Sequence, residues 1–358
     1  MNHFNQQQTT VVVSPSQGYP PEGYPNYASP QVYPPQAPPL QGTEKQSRSS
    51  DFKGTWLELL KKKKPTMEIP EGVPKFNLDD YEELNYIGQG PVGGAFFVRK
   101  NSTQKLYIVK YVRRYNRREN FVKRSIYDMK LVHEVDHLNI IKCLGVSSDE
   151  HANYFLYEIL SPFRYPIKDE LTLACIALEV LNALSYLRKE KKFVFKHLTP
   201  GNILYDHRKK TTKITDIMTI KDKYFKLDED DVEGYGEYMR YISPENFQEE
   251  AVPEEPSLES DKSDIWSLGL CLLEFYRGTL YSDKHVSPRQ FLYKFADDIV
   301  WPPKPPPEAS PQFQDFISQC LKVQVSERAN IEVLRNHEFI TRYKLVAIDA
   351  KRLTVPSE

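Results

Sequence analysis

The hydrophobic pattern of this chain predicts strands in its first half. Short apolar runs separated by tight connections predict three consecutive strands at Tyr81 to Ile87, Gly94 to Arg99 and Lys105 to Val112. A helical pattern follows from about Asn116 to Val135. Two more strands are predicted after this helix, at Cys143 to Ser147 and Tyr154 to Leu160.

Beyond residue 160 the apolar positions recur at helical spacing. A first helix is predicted from the run Leu171, Ala174, Leu178, Leu181, Leu184 and Leu187. Later helices are predicted within Asp261 to Arg277, Phe313 to Leu321 and Ile331 to Phe339. Strands early and helices late indicate an α+β fold of two lobes, in which a small antiparallel-sheet lobe with one helix precedes a larger helical lobe.

The two ends of the chain differ from this body. Residues 14–41 are a mixture of Pro, Tyr, Gln and Gly with few aliphatic side chains to bury, which predicts disorder and polyproline II structure. We expect a disordered tail over residues 1–75, a small lobe over 76–160, a large lobe over 161–345 and a C-terminal tail over 346–358.

Composition narrows the class of protein further. The chain has 48 basic and 49 acidic residues and a formal net charge of -1, which removes the electrostatic case for nucleic-acid or membrane binding. The four cysteines are far apart and lie in apolar segments, which favours buried free thiols. No secretory signal is predicted, and the longest apolar run noted, Ile265 to Tyr276, is too short to span a membrane. We expect a cytoplasmic location, with the nucleus as a second one.

A glycine motif and a later lysine are the first signs of chemistry. Gly88, Gly90 and Gly93 form a G-x-G-x-x-G string between two predicted strands, where dinucleotide-binding domains would instead have a helix next. Glycine lets backbone N–H groups approach phosphates closely. Lys110, at the end of the third strand, could bring an ammonium group to the same phosphates.

Several further motifs occur in an order that resembles the protein kinases. They are Tyr-Ile-Val-Lys110, His137-Leu-Asn-Ile140, Leu198-Thr-Pro-Gly-Asn-Ile-Leu204, Asp216, Ser243-Pro-Glu245, Asp261-Lys-Ser-Asp-Ile-Trp-Ser-Leu-Gly269 and Arg328. The resemblance covers about Tyr81 to Arg342. It implies the two-lobed protein-kinase fold, with Glu245 and Arg328 as a structural ion pair and Asp264 as the anchor of the catalytic loop.

The catalytic loop departs from the kinase pattern at two positions. Kinases have H-R-D-L-K-P-x-N here, where Asp handles the substrate hydroxyl proton, Lys neutralises the transferred phosphoryl group and Asn binds magnesium. This chain has His197 at the catalytic Asp position and Thr199 at the Lys position. A neutral imidazole can accept a proton, but it supplies no fixed negative charge, and Thr199 supplies no cation. The resemblance therefore implies a pseudokinase.

The residues that would bind nucleotide are better retained. The resemblance implies ATP and Mg²⁺ as ligands, with Asn202 and Asp216 on the metal, although Met218 replaces the glycine of the D-F-G motif. Whether ATP binds is left open, because Ile108 adds bulk over the adenine position while Ala95 removes some, and Tyr157 narrows the back of the pocket. The implied nucleotide-binding residues are Gly88, Gly90, Gly93, Ala95, Ile108, Lys110, Asp128, Tyr157, Glu158 and Leu204. Asp128 stands where kinases have the glutamate that pairs with the strand-three lysine.

A basic and apolar string precedes the body of the protein. Lys61, Lys62, Lys63 and Lys64 are followed by Met67 and Ile69, which resembles the docking motif with which MAP kinase kinases hold MAP kinases. A solvated linker and a nuclear-import signal are competing interpretations. Together with Leu131 to Val135 and Phe316 to Leu321, the string favours the MAP kinase kinases over the related germinal-centre kinases.

The sequence supports two alternative functions. The first is a MAP kinase kinase-like pseudokinase that acts as a scaffold or allosteric partner of a MAP kinase or another active kinase. The alternative is a low-activity dual-specificity protein kinase that uses His197 as its base. Between Asp216 and Ser243, acidic residues at 228–231 stand where kinases are phosphorylated, and Tyr235, Tyr238 and Tyr241 are candidate modification sites.

Overall fold

The described part of the chain forms the two lobes that the sequence predicts. The structure, a computed structural model, describes residues 67–90, 93–113, 119–217, 240–247, 261–278, 280 and 302–343. Residues 1–66 of the expected N-terminal tail, the expected C-terminal tail, the four lysines at 61–64, Met218, the acidic residues at 228–231, Tyr235 and Tyr238 lie outside these ranges. The expected α+β architecture, with an antiparallel sheet and one helix before a helical lobe, is confirmed.

The small lobe is built on a five-stranded antiparallel sheet. Its strands are β1 (Tyr81–Gly90), β2 (Gly93–Lys100), β3 (Leu106–Arg113), β4 (Cys143–Ser148) and β5 (Ala152–Tyr157), in the order β1-β2-β3-β5-β4. Helix α1 (Glu119–Glu134) connects β3 to β4. The sheet carries apolar clusters on both faces, because alternate strand residues point to opposite sides.

Residues before β1 cover the exposed edge of this sheet. Lys75 forms a parallel bridge with Val146 of β4, and the Phe76 amide donates to the Val146 carbonyl at 3.2 Å. In return, the Val146 amide donates to the Pro74 carbonyl at 2.8 Å. This pairing satisfies backbone groups that an edge strand would otherwise leave open. Packed residues therefore reach back to Met67, beyond the expected start of the lobe at Phe76.

The large lobe combines helices with a small sheet. Strands β6 (Ser161–Pro162), β7 (Ile203–Asp206) and β8 (Thr211–Ile214) form the sheet in that order. The helices are α2 (Glu170–Lys191), α3 (Lys262–Arg277), α4 (Pro311–Cys320) and α5 (Ile331–Arg335). Asp169 caps the start of α2 by accepting from the Leu171 and Thr172 amides. Helix α3 is buried on almost every side, so the whole lobe is assembled around it.

Two sequence expectations differ from the observed elements. The helix predicted from Ile331 to Phe339 ends at Arg335, because Asn336 adopts a non-helical conformation and the His337 ring accepts from the Phe339 amide at 3.1 Å. Helix α2 is a longer apolar segment than Ile265 to Tyr276, the longest apolar run predicted, and it has the length and composition of a membrane-spanning helix. Ten of its residues are buried, so its apolar faces pack within the core of the large lobe.

Candidate functional site

A buried carboxylate holds the loop that contains His197. Asp264, in the first turn of α3, accepts hydrogen bonds from the Phe195 amide at 3.0 Å and the Lys196 amide at 2.6 Å. Burial raises the pKa of Asp264 to about 7, although these two backbone donors act to lower it. Lys196 has a φ of 59°, a strained value for a lysine that the paired amides maintain. The two hydrogen bonds tie the backbone of this loop to α3, which is the geometry that the predicted anchoring role of Asp264 requires.

His197 lies inside this loop rather than at its surface. Its side chain is buried, with 3% of the residue exposed, and its carbonyl accepts from Asn202 Nδ2 at 2.8 Å. Thr199 precedes a short 3₁₀ turn, Pro200–Asn202, which the Asn202 amide closes onto the Thr199 carbonyl at 3.0 Å. The frame of the loop is thus complete. Its two substituted positions place an imidazole and a hydroxyl where kinases have a carboxylate and an ammonium group.

Lys110 and Asp216 meet as the kinase pattern requires. Lys110 Nζ lies 3.7 Å from Asp216 Oδ1, and it donates to Thr215 Oγ1 at 3.3 Å. Asp216 has a φ of 75°, in the left-handed region that non-glycine residues rarely adopt. The Thr215 amide donates to the Asn202 carbonyl at 3.0 Å, which brings Asn202 beside Asp216. Three sequence-predicted residues, Lys110 on β3, Asn202 in the catalytic loop and Asp216 after β8, are thereby gathered in one place.

These residues fit a nucleotide-bound magnesium ion. Asn202 uses its Nδ2 on His197, which leaves its amide oxygen as the group that can ligate a cation. Among the described residues, no cluster of three or more His, Cys, Asp or Glu side chains could hold a metal by itself. A magnesium ion would therefore need Asp216, Asn202 and the oxygens of bound phosphates together, which is how Mg²⁺ usually binds.

Asp128 faces the same region from α1. Asp128 is almost fully buried. The negative charges of Asp128 and Asp216 both disfavour ionisation of the Tyr157 hydroxyl. Burial first, then Cys143 and these two carboxylates, raise the pKa of Tyr157 well above its ordinary value. The predicted ion pair of Lys110 with Asp128 stays a prediction.

Tyr157 closes the back of the pocket. Its ring is buried, and Tyr157 pairs across the sheet with Cys143 of β4. Behind it remains a cavity of about 10 Å³, lined by Val132, Ile141, Tyr157, Asp216 and Ile217. A cavity of this size barely admits one water molecule. This small cavity agrees with the expectation that Tyr157 narrows the back of the pocket, and Ile108 pairs directly with Tyr157 across the sheet.

The glycine motif is partly explained by packing. Gly88 pairs with Ala95 and Gly90 with Gly93, so the motif forms the end of the β1-β2 hairpin; Pro91 and Val92, between them, are not described. A Cβ at Gly93 would lie only 1.7 Å from the carbonyl oxygen of Tyr111 on β3. Gly93 is therefore required by the close approach of two strands, whether or not a phosphate binds there.

Sequence reasoning missed a buried lysine beside the pocket. Lys213 of β8 is 2% exposed, and its ammonium group lies 2.5 Å from Glu158 Oε1 and 2.9 Å from Asp206 Oδ2. Glu158, one of the predicted nucleotide-binding residues, follows β5 in the connection between the lobes. Leu204, also predicted to bind nucleotide, packs against the cluster that contains Tyr157. A lysine within the otherwise apolar or hydroxyl-bearing strand β8 was the available signal, because such a lysine needs a buried partner.

The structural pair predicted from the late motifs is present. Arg328 donates from Nη1 to Glu245 Oε1 at 2.7 Å and from Nη2 to Oε2 at 2.9 Å. Burial alone would raise the pKa of Glu245, but the hydrogen bonds and charge of Arg328 outweigh burial and lower it. Tyr241, a candidate modification site, is buried, and its hydroxyl donates to Glu274 at 2.5 Å. Modification of Tyr241 would therefore require local opening.

The apolar residues of the docking string are placed differently from the expectation. Met67 is 7% exposed and belongs to the core cluster of the small lobe, and Ile69 packs against that cluster. In this structure the Met67 side chain therefore lies in an apolar core, and its docking role stays a prediction.

Comparison with known proteins agrees with the geometry. The family described as "Protein kinase domain" matches residues 81–340, which is well over half of the chain. Mitogen-activated protein kinase kinase 1 of Arabidopsis thaliana is 28% identical over 289 residues, covering 75% of this chain and 77% of the relative. Mitogen-activated protein kinase kinase SIPKK of Nicotiana tabacum is 29% identical over 286 residues, covering 76% of each.

A relative from an animal gives a similar result. Dual specificity mitogen-activated protein kinase kinase dSOR1 of Drosophila melanogaster is 26% identical over 313 residues, covering 78% of this chain and 75% of the relative. The matched family, the two lobes and the meeting of Lys110, Asp216 and Asn202 agree with one another. This chain belongs to the protein kinase family, and its relatives include MAP kinase kinases.

Proposed function

We propose that this protein is a MAP kinase kinase-like pseudokinase that acts in cytoplasmic signalling by binding a MAP kinase or another active kinase. The observation that carries the proposal is His197 at the catalytic Asp position, within a loop whose frame is otherwise complete. A retained frame with altered reacting groups suits a protein that is used for its shape. The basic cluster also leaves the nucleus open as a second location.

The size of the catalytic defect follows from electrostatics. Removing one preorganised group that stabilises transition-state charge typically lowers the rate about 10²–10³-fold. This chain lacks two such groups, the carboxylate at position 197 and the ammonium at position 199. Losses of cooperating groups do not add fully, so a defect of roughly 10³-fold or more is expected relative to an intact loop.

A second function is favoured by one observation. Lys110 and Asp216 lie 3.7 Å apart with Asn202 beside them, and this arrangement suits ATP and Mg²⁺. The alternative is therefore a slow dual-specificity kinase, in which the neutral His197 imidazole accepts the substrate hydroxyl proton. Binding of ATP is part of both proposals but is necessary only for the second.

Phosphate transfer from radiolabelled ATP to a MAP kinase separates the two functions. The full chain is compared with Lys110→Met, with His197→Ala and with the double variant His197→Asp/Thr199→Lys, each checked for its melting temperature. We expect the native chain and Lys110→Met to give equal background signals and the double variant to exceed both. Native turnover well above Lys110→Met, and lost in His197→Ala, would establish the slow kinase and refute the pseudokinase.

A further inference from the structure

The segment that follows the basic cluster is an integral part of the small lobe. Residues 67–76, here called the clasp, place Met67 and Val73 in the same core cluster as Met129 and Val132 of α1. Ile69 packs on this cluster beside Val122 and Ile126, also of α1. The clasp therefore contributes side chains to the surface on which α1 packs, the only α-helix that the structure describes in this lobe.

The backbone of the clasp is fixed as firmly as its side chains. A turn closes from the Val73 amide to the Pro70 carbonyl at 3.3 Å, with Gly72 at a φ of 81° that glycine adopts without strain. The chain then pairs along β4 through Pro74, Lys75 and Phe76, where the Val146 amide donates to the Pro74 carbonyl at 2.8 Å. The amide proton of Val146 is thus a direct reporter of whether the clasp is in place.

The clasp overlaps the string that resembles a docking motif. That string needs Met67 and Ile69 in a partner's apolar groove, while Lys61 to Lys64 meet an acidic patch. Met67 is 7% exposed in the clasp. Since one side chain cannot occupy two cores at once, docking and clasp closure exclude each other.

We propose that the clasp is a shared docking element, for which the protein's own small lobe and a MAP kinase compete. The inference rests on the docking function proposed above and adds its regulation. The partner it fits has an acidic patch beside an apolar groove. A partner can bind only the open state, in which Met67 has left the core. Because this state is only fractionally populated, the free energy that holds Met67 in the core weakens the apparent affinity for the partner. Full burial of a methionine corresponds to a roughly tenfold to hundredfold weaker apparent affinity.

Docking should also change the packing around the nucleotide site. Tyr157 and Val132 belong to the same cluster as Met67, and both line the small cavity next to Asp216. Release of the clasp removes packing from α1 and from the wall behind the pocket. Any ligand that requires the packed small lobe will therefore oppose docking, and the effect is reciprocal.

Val73→Ala in the full chain tests the inference without changing the docking string. Val73 is buried in the core cluster of the small lobe that the clasp joins. Val333 of α5 is 49% exposed, and Val333→Ala provides a matched control. Loss of two methyl groups should open the clasp about tenfold more often. Binding to a panel of purified MAP kinases is measured by calorimetry, and Val146 amide exchange is followed by hydrogen exchange with mass spectrometry.

Three results are expected if the clasp competes with docking. Val73→Ala binds the MAP kinase severalfold to tenfold more tightly than the native chain or Val333→Ala. Exchange at Val146 becomes faster in Val73→Ala, and it also becomes faster in the native chain when the MAP kinase is bound. Met67→Ala also opens the clasp, but it gains less docking affinity than Val73→Ala, because it removes a residue that both sites use.

Two other results overturn the inference and can be told apart. If a MAP kinase binds through Lys61 to Lys64 while Val73→Ala leaves its affinity and the Val146 exchange unchanged, docking stands and competition is refuted. If no MAP kinase of the panel binds the native chain or Val73→Ala, the docking function itself fails and the inference fails with it.

Discussion

Replacement of Lys213 by methionine should destabilise the protein strongly, although no catalytic group changes. Lys213 is 2% exposed and contacts the Glu158 and Asp206 carboxylates at 2.5 and 2.9 Å. Methionine keeps most of the length and apolar stem of lysine but has no charge. The substitution therefore isolates the ionic contribution of Lys213 from its packing.

The magnitude follows from what each partner keeps. Breaking a buried ion pair by removing one member costs about 3–5 kcal/mol, because the other charge is left uncompensated. Asp206 is almost fully buried, but it still accepts from the Arg208 and Lys209 amides at 3.0 and 3.1 Å. The Glu158 side chain is 23% exposed, so water can solvate part of its charge. We therefore expect the lower end of the range, about 3 kcal/mol.

The pH dependence gives the prediction a second signature. Burial alone would raise the pKa of Asp206, but Lys213 and the backbone amides outweigh burial and lower it. A carboxyl group with a lowered folded-state pKa stabilises the protein above its unfolded-state pKa, and this contribution is lost as the pH falls through the folded-state value. The difference between the native chain and Lys213→Met should be full at neutral pH and shrink below about pH 4.

Thermal and urea unfolding measure the effect, with Lys209→Met, in the turn that leads into β8, as a matched control. Lys209 is exposed, so its substitution should be nearly neutral. A loss of about 3 kcal/mol corresponds to a fall in the melting temperature of roughly 6 °C or more. A melting temperature for Lys213→Met within about 1 °C of Lys209→Met at neutral pH would refute the assignment of a stabilising buried triad.

Three further perturbations follow from the geometry. Gly93→Ala should lower the melting temperature by several degrees even without nucleotide, because its Cβ would overlap the Tyr111 carbonyl oxygen; an unchanged melting temperature would contradict that close approach. Arg328→Lys cannot keep both hydrogen bonds to Glu245, so urea unfolding should show a loss of about 2–4 kcal/mol, and a loss below about 0.5 kcal/mol would count against the pair. Because the folded-state pKa of Asp264 is raised to about 7, its contribution to stability declines as the pH rises from about 4 to 7. Urea unfolding across that range should show this decline in the native chain relative to Asp264→Asn. Free energies of unfolding that change with pH in parallel for the two proteins would refute it.

Much of the fold, and several contacts that support the site, could be predicted from the sequence. The patterns that predict them are local, or they depend on the order of the motifs along the chain. Strand and helix patterns predicted the α+β class, and the positions of Asp264, Glu245 and Arg328 in their motifs predicted contacts that are present in the structure. The position of Tyr157 at the back of the pocket was inferred from the resemblance, which places it immediately before Glu158, and the structure puts Tyr157 at the end of β5. The helix after Asn330 was predicted too long, because the interruption at Asn336 depends on a hydrogen bond to the His337 ring.

Residue type and spacing along the chain thus determine the fold class, the motif residues of the site and the altered groups at His197 and Thr199. Only the tertiary structure decided that Lys213 joins Glu158 to Asp206, that Lys110 meets Asp216, and that Met67 lies in a core rather than in solvent. These contacts join segments far apart in sequence. An apolar or charged side chain has the same identity whether it is buried or exposed, and the free energy that selects its partner arises only when distant elements pack together.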